Sequence, residues 1–287
     1  MIDQLLNPTS PRNEIAEGVS FGRYRRGIGM NPSTICAGFR RQGAISMLHL
    51  KHAWDVPRAD KPAFIFGRAV HTALFEPRKM ESRYGCWEGV RRGSEYKQAV
   101  ADAFLNGKEL LTEQELHQAL ICAKRVASDP VIQPYISSGK AEVVAYWMEG
   151  PIQCRGRMDW INGDPPALLD LKTSRDVSEA AFGRDFVSYH YDVKMGLYQR
   201  ALLKLTGIRY PVLIPCVENE APYDTTLVPI PDSVLEKGVE KAMNVLNRLP
   251  ECIETGIWPG VANGEEYHLT LPAFYEQDEL VEWQDDD

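Results

Sequence analysis

Two acids and one lysine near the middle of the chain have the types and spacing that metal-assisted hydrolysis requires. Asp159 lies in "IQCRGRMDWI" (152–161), and Asp170 and Lys172 lie in "ALLDLKT" (167–173). Carboxylates held together repel each other unless a cation lies between them, and Mg²⁺ and Mn²⁺ favour such oxygen ligands. A lysine beside a metal-bound water can orient the water or stabilise charge on a phosphate. The three residues therefore predict hydrolysis of a phosphodiester.

The two segments must pair if this site is to form. They are separated only by the turn sequence "NGDPP" (162–166), which predicts a hairpin. Side chains alternate between the two faces of a strand. We therefore expect the polar face to carry Arg155, Arg157, Asp159, Asp170 and Lys172, with Leu168 beside them. The opposite, core-facing side is expected to carry Ile152, Cys154, Met158, Trp160, Leu169 and Leu171.

The sequence pattern predicts mainly helices before these strands, and helices alternating with strands after them. Helices are predicted at about 33–49, 62–76, 94–105, 112–127, 178–186, 191–206 and 232–249. The helix at 112–127 opens with Thr112 and Glu115, which have the spacing of a capping box. Further strands are predicted at 141–148, 210–217 and 223–230. Without repeats or low-complexity linkers, we expect one α/β domain over residues 1–262 and an acidic tail over 263–287.

The net charge of −8 says little about local binding surfaces, because the charge is unevenly distributed. Residues 263–287 contain nine acids and no Lys or Arg, whereas residues 1–92 contain fifteen basic and eight acidic residues. The tail is interpreted as a solubilising end, or as a segment that docks a partner or imitates DNA. With no apolar stretch long enough to span a bilayer and no signal-peptide pattern, we expect a cytoplasmic protein.

The hairpin resembles a known nuclease signature. "GRMDWINGDPPALLDLKTS" (156–174) is similar to the PD-(D/E)xK motif of RecB-like and RecE-like exonucleases. Asp159 matches its first acid, Asp170 its second acid and Lys172 its lysine. Three further segments resemble motifs of the RecE-type group, which are "GMNPSTICAGFR" (29–40), "FGRAVHTALFEP" (66–77) and "YHYDVKMGLYQRAL" (189–202).

The resemblance implies a fold and an activity. The fold would be an α/β (α+β) restriction-endonuclease-like core, a central mixed sheet flanked by helices, with an N-terminal helical elaboration. The activity would be that of lambda-exonuclease-like phage proteins, a Mg²⁺-dependent exonuclease that degrades linear double-stranded DNA from 5′ to 3′ in recombination. Mn²⁺ would substitute for Mg²⁺. The expected partners are DNA ends, a single-strand annealing protein and further copies in a ring, in a bacterium or a phage-infected cell.

The same resemblance implies roles for further residues. His71 and the backbone carbonyl of Leu171 would join Asp159 and Asp170 as metal ligands. The family has Gln-x-x-x-Tyr on the helix after the lysine strand, whereas this chain has Lys194 and Tyr198. Both share a helix face and are expected to contact DNA. A lysine there can hold a phosphate but lacks the acceptor of glutamine.

Other candidate DNA contacts come from basic residues. Arg155 and Arg157 point with Asp159 and are interpreted either as solvated charges or as contacts to the DNA backbone. Arg91 and Arg92 lie in the loop "GVRRGS" (89–94) and are candidate phosphate contacts. Ser33 is expected to cap a helix N-terminus, where a DNA 5′-phosphate could also bind.

Three alternatives stay open. Asp170 and Lys172 alone also fit a surface hairpin with an ion pair. A RecB-like nuclease of another role, an endonuclease or a CRISPR-associated type, would fit the same signature. The latter carries a four-cysteine iron–sulfur cluster, and the six scattered cysteines without CxxC predict none here. A non-catalytic DNA-binding protein of the same fold is less favoured, because both acids and the lysine are present.

Overall fold

In the computed structural model the described residues are 2–40, 44–56, 61–262, 265, 266 and 269. The strands are β1 (Glu14–Ala16), β2 (Tyr84–Trp87), β3 (Glu109–Thr112), β4 (Gly139–Glu149), β5 (Ile152–Gly163), β6 (Pro166–Leu169), β7 (Lys172–Ser174), β8 (Val212–Glu218) and β9 (Thr225–Ile230). The helices are α1 (Phe21–Arg26), α2 (Pro32–Cys36), α3 (Met47–Asp55), α4 (Pro62–Phe75), α5 (Met80–Arg83), α6 (Gly93–Leu105), α7 (Glu113–Ser128), α8 (Gln133–Ile136), α9 (Glu179–Ser188), α10 (Tyr191–Thr206), α11 (Asp232–Leu246) and α12 (Leu249–Thr255). Nearly all of the predicted tail, 263–287, lies outside the described residues.

Seven of the described strands form one mixed sheet, as expected. β1, β4, β5 and β6 pair antiparallel in that order, β6 and β7 pair parallel with β8, and β9 pairs antiparallel with β8. The predicted hairpin is confirmed, because Trp160 pairs with Leu169 and Gly163 with Pro166. β2 and β3 form a separate parallel pair.

β6 and β7 are two pieces of one strand, interrupted at the acid of the predicted site. They pair with successive parts of β8, at 212–213 and at 216–218. The interruption falls on Asp170 and Leu171, which belong to neither piece. The pairing of β5 with β6 ends at Trp160, whereas β7 pairs with β8. β5 and β7 therefore diverge, and the predicted site lies where they separate.

Helices cover both faces of the sheet and form two hydrophobic cores. The first core packs α2, α3, α10, α11 and α12 against one face. The second core packs α4 and α7 against the other face. Consecutive residues of β6 enter opposite cores, since Leu168 is buried in the first core and Leu169 in the second. The strand that precedes Asp170 is therefore held from both sides by apolar packing.

The predicted alternation of β5 is wrong at Trp160. Met158 packs in the first core as expected, but Trp160 packs in the second core. Glu142 of β4 and Asp159 both lie between the paired positions Ala141–Trp160 and Val143–Met158, and Glu142 has a left-handed backbone with φ of 55°. A left-handed residue in a strand interrupts the regular alternation of its side chains. The change of face thus occurs where Glu142 and Asp159 meet.

The helix predictions are confirmed in outline and corrected at one place. α4 covers the range predicted after Pro62, and Thr112 and Glu115 form the predicted capping box on α7. The predicted helix at 33–49 is instead two helices, α2 and α3. Ser33 is not the cap of α2, because the backbone N–H of Thr34 donates to Asn31 Oδ1 at 2.9 Å. Asn31 followed by Pro32 is a strong start signal.

α10 and α11 pack with their backbones in close contact. A Cβ atom at Gly238 would overlap the backbone carbonyl of Asp192, and one at Gly196 would overlap that of Leu235. Only glycine allows two helices to approach this closely. The contact fixes the N-terminal half of α10, which carries Lys194 and Tyr198. Among the described helices, none is both long and apolar enough to cross a membrane.

Candidate active site

Two ammonium groups contact the carboxylate of Asp170, which is only 1% exposed. Lys194 Nζ donates to Asp170 Oδ1 at 2.7 Å, and the ammonium of Lys172 contacts Asp170 Oδ2. Lys172 comes from β7, two residues beyond Asp170, while Lys194 comes from α10 on the side of the first core. Lys172 Nζ also donates to the Leu171 carbonyl at 3.4 Å. Sequence reasoning placed Lys172 beside Asp170 but did not predict the contact with Lys194.

Asp159 and His71 are linked through the backbone of Leu171. The N–H of Leu171 donates to Asp159 Oδ2 at 3.0 Å, and His71 Nδ1 lies 3.2 Å from the same oxygen. His71 Nε2 lies 2.9 Å from the Leu171 carbonyl oxygen. Both partners of the imidazole are acceptors, so both contacts are hydrogen bonds only when both ring nitrogens carry a proton. The structure thus brings His71, which comes from α4, together with Asp159 and Leu171.

The donor set fits a hard divalent cation. Asp159, Asp170 and the Leu171 carbonyl supply the oxygens that Mg²⁺ and Mn²⁺ prefer, and the imidazole of His71 is a further possible ligand. Over the described part of the chain, no three His, Cys, Asp or Glu side chains are already arranged as a metal centre. Lysine ammonium groups contact Asp170, and the His71 ring contacts Asp159 and Leu171.

The electrostatics of the site follow from burial and from close charges. Burial, together with the charge of Lys194, lowers the pKa of Lys172 to about 7. Burial alone would raise the pKa of Asp159, but the charge and hydrogen bond of His71 hold that pKa well below its usual value. Burial likewise opposes the charge of Lys194, yet Tyr198 and Asp159 raise its pKa. The contact of Lys172 with the Asp170 carboxylate acts in the opposite direction, because a neighbouring negative charge favours the charged amine.

Two aromatic rings support the lysines. Lys172 Nζ lies 4.9 Å from the ring centroid of Tyr191, and Lys194 Nζ lies 5.5 Å from that of Tyr198. Such cation–π contacts favour the charged amine. The Tyr198 ring packs over Gly156 of β5, where a Cβ atom would overlap it. Tyr198 is 4% exposed, so its main contact is with the protein interior and not with a surface that DNA could reach directly.

Glu142 is a site residue that sequence reasoning missed. It lies between the same paired positions of β4 and β5 as Asp159, its carboxylate contacts the guanidinium of Arg157, and burial raises its pKa. Arg157 also lies over the ring of Phe21, at 5.1 Å from the centroid. The structure thus places Arg157 on the same side as Asp159, paired with an acid. A glutamate within the apolar segment "AEVVAYWM" (141–148) was the available signal.

The interpretation of Arg155 as a DNA contact is wrong. Its side chain is 6% exposed, and its guanidinium donates to three backbone carbonyls. Nε donates to Gly29 at 2.9 Å, Nη2 donates to Arg25 at 3.4 Å, and Nη1 donates to Tyr24. Tyr24 and Arg25 lie in α1, and Gly29 lies in the segment that follows it. Arg155 therefore holds residues 24–29 against β5 with three of its five N–H donors.

Three other candidates make no described contact with the site residues. Ser33 is the second residue of α2, and Arg92 precedes α6. Arg91 forms an ion pair with Glu115, the acid of the capping box on α7. Their roles in DNA binding stay predictions. They are basic or polar residues away from the two carboxylates.

The chain belongs to a family of PDDEXK-like domains. The model of a PDDEXK-like domain of unknown function (DUF3799) matches residues 36–269, which contain Asp159, Asp170 and Lys172. The resemblance to PD-(D/E)xK nucleases is therefore confirmed, as is the α/β fold class of the restriction-endonuclease-like core. No curated protein matches the chain.

Two solved structures are similar to the chain at low sequence identity. A candidate exonuclease of Eubacterium rectale is 14% identical, with a TM-score of 0.59 over 91% of this chain and 96% of that one. A phage-related exonuclease of Haemophilus somnus 129PT is 10% identical, with a TM-score of 0.37 over 82% of this chain and 99% of that one. The first likeness supports the fold, and the second is too distant to add to it.

Proposed function

We propose that the protein is a Mg²⁺-dependent DNA exonuclease that hydrolyses phosphodiester bonds of linear double-stranded DNA. The observation that carries the proposal is the set of oxygens at the break between β6 and β7. Asp159, Asp170 and the Leu171 carbonyl converge there, beside Lys172. Two buried carboxylates beside a lysine with a lowered pKa suit metal-assisted hydrolysis better than they suit a structural ion pair.

Each residue has a task in this reaction. Asp159, Asp170 and the Leu171 carbonyl would hold the divalent ion, with His71 as a further ligand or as the group that orients Asp159. The bound ion supplies charge neutralisation at the phosphate and lowers the pKa of water. Lys172 lies 3.4 Å from the Leu171 carbonyl, so its amine can orient the attacking water or take its proton. Arg157, paired with Glu142, can contact a neighbouring phosphate.

Digestion of end-labelled linear duplex tests the proposal. Duplexes labelled at the 5′ or the 3′ end are incubated with the protein, with Mg²⁺, with Mn²⁺ and with a chelator. We expect nucleotide release only with a divalent ion. Asp170→Asn and Lys172→Met should each reduce the rate by roughly a hundredfold or more, because each removes a group at the reacting phosphate. Lys204→Gln, which removes a lysine that pairs with Glu149, is the matched control and should cleave normally.

The outcome also separates the alternatives. Cleavage of closed circular DNA as readily as linear DNA would favour an endonuclease. Binding to DNA without cleavage in either metal would favour a non-catalytic protein of the same fold. Full activity of both site variants would show that the site is elsewhere.

The finer parts of the proposal come from the family resemblance. They are digestion from the 5′ end, a role in recombination with a single-strand annealing protein, and a ring of several copies around the DNA. Preferential release of 5′-labelled nucleotides supports the polarity. Sedimentation of the purified chain tests the ring, and a monomer at working concentration would contradict it.

A further inference from the structure

Asp170 is the part of the site whose contacts are most unusual. A metal-binding carboxylate normally needs at least one oxygen directed at the ion, whereas each oxygen of Asp170 contacts a different ammonium group. The carboxylate is also 1% exposed, so neither oxygen can turn towards bulk solvent. A cation that binds Asp170 in the position of either ammonium must therefore displace one of the two lysines.

The two lysines differ in what else they contact. Lys172 Nζ lies between Asp170 Oδ2 and the Leu171 carbonyl oxygen, two atoms of the proposed ligand set. An ion bound by those two atoms would lie on the side of Asp170 that Lys172 occupies. Lys194 Nζ contacts the other oxygen, Oδ1, at 2.7 Å, over the ring of Tyr198. It reaches the site from α10, whose backbone is fixed against α11 through Gly196 and Gly238. A divalent ion at Oδ1 would have to approach this ammonium, and like charges repel.

We infer that the ammonium of Lys194 takes the position of a second cation at Asp170, so that the site binds one divalent ion and not two. Two-ion sites hold both ions with shared carboxylates and so neutralise both the attacking and the leaving oxygen. Here the side chain supplies the second positive charge permanently. The inference rests on the proposed function, and it makes Lys194 a residue that sets the metal count.

Counting bound Mn²⁺ tests the inference without measuring cleavage. Free Mn²⁺ is measured by electron paramagnetic resonance across a titration of the full chain. The acidic residues of 263–287 give background binding, so each chain is compared with one that also carries Asp159→Asn and Asp170→Asn. The difference counts the ions held by the site. The chains compared are the unmodified protein, Lys194→Gln, Lys194→Arg and Lys204→Gln.

We expect one ion for the unmodified protein and for Lys194→Arg, which keeps the charge. Lys204→Gln should also hold one, because it loses a lysine–carboxylate pair on the same helix away from the site. Lys194→Gln should hold two. If Lys194→Gln does not fold, Lys194→Met is used in its place, because methionine keeps the apolar part of the lysine side chain.

Two results would overturn the inference, namely two ions in the unmodified protein or one ion in a folded Lys194→Gln or Lys194→Met. A site that binds no Mn²⁺ in any chain would contradict the proposed metal-dependent nuclease itself. One-ion binding in every chain together with normal DNA digestion would leave the proposed function standing and reject only the role of Lys194.

Discussion

The backbone N–H of Leu171 donates a hydrogen bond of 3.0 Å to Asp159 Oδ2, and this bond joins the two halves of the candidate site. It lies where β5 separates from the strand formed by β6 and β7. A buried N–H that loses its acceptor is costly. Asp159 therefore accepts a bond that keeps the strands together, and in the proposed reaction its charge would also attract a cation.

These two functions can be separated by mutation. Asp159→Asn keeps an oxygen for the Leu171 N–H but removes the charge, whereas Asp159→Ala removes both. We expect both variants to lose nuclease activity by roughly a hundredfold or more. Both should lose the stabilisation that comes from the charge of Asp159, and Asp159→Ala should lose about 1–3 kcal/mol more in urea unfolding. Equal stability of the two variants would mean that the Leu171 bond contributes nothing measurable.

Glu142 has a left-handed backbone, so we expect glycine to be tolerated better than alanine at this position. This is the reverse of the order expected elsewhere in a strand. Alanine keeps the unfavourable φ of 55°, while glycine adopts it freely. Both lose the contact with Arg157. We therefore expect Glu142→Gly to be more stable than Glu142→Ala by about 1 kcal/mol.

The same two substitutions at Lys140, also in β4, provide the control. Lys140 has no positive φ and forms an exposed ion pair with Glu17. There, alanine should be the more stable of the two. If the alanine variant were more stable than the glycine variant at both positions in denaturant unfolding, that result would argue against strain at Glu142.

Arg155→Lys tests whether this arginine has a structural role. Lysine has one ammonium group and cannot serve three carbonyls in fixed positions. We expect a loss of about 2–3 kcal/mol in unfolding free energy. The slope of DNA affinity against salt concentration should stay the same, because no phosphate contact is lost. A smaller slope by about one unit would restore Arg155 as a phosphate contact.

Glu149 predicts a pH dependence of stability. Burial opposes its charge, but hydrogen bonds from Arg200 and Lys204 lower its pKa below the usual 4.5. The folded protein therefore binds the Glu149 proton more weakly than the unfolded chain does. The stabilisation is complete above pH 4.5 and is lost as pH falls through the lower, folded-state pKa.

Glu149→Gln measures this contribution. Its two cationic partners are about one third exposed, so we expect a loss of about 2 kcal/mol at pH 7, less than for a fully buried pair. The difference from the unmodified protein should shrink below pH 4.5. A difference that grows on acidification would have the wrong sign for a carboxylate with a lowered pKa.

The close packing of α10 on α11 makes Gly238 intolerant of a side chain. Gly238→Ala would force its Cβ atom against the backbone of Asp192, at a cost of roughly 2 kcal/mol or more. Gly183 in α9 is the control, because a Cβ atom there meets nothing within 4 Å. Gly183→Ala should raise stability by about 0.5–1 kcal/mol. Thermal unfolding of both variants compares them directly.

Sequence periodicity predicted the parts of the fold that depend on neighbouring residues. The hairpin of β5 and β6, the range of α4 and the capping box at Thr112 all follow from short-range patterns. The start of α2 could have been found in the same way, since Asn31 and Pro32 form a stronger signal than Ser33.

Tertiary contacts account for what the sequence did not predict. Lys194 and Asp170 are 24 residues apart, and only the packing of α10 over the sheet brings them together. The burial of Arg155 depends on carbonyls that lie 126 to 131 residues away. The change of face at Trp160 depends on the backbone of Glu142 in the neighbouring strand. None of these follows from alternation within one segment.

The divergence of β5 and β7 places the site between the two layers of helices. His71 approaches the carboxylates from α4, which belongs to the second core, and Lys194 approaches them from α10, which belongs to the first. Side chains from both layers of helices therefore reach the carboxylates through the opening between β5 and β7. A substitution that shifts one helix layer displaces one partner of the carboxylates and leaves the other in place. The site is thus complete only while both layers of helices keep their positions against the sheet.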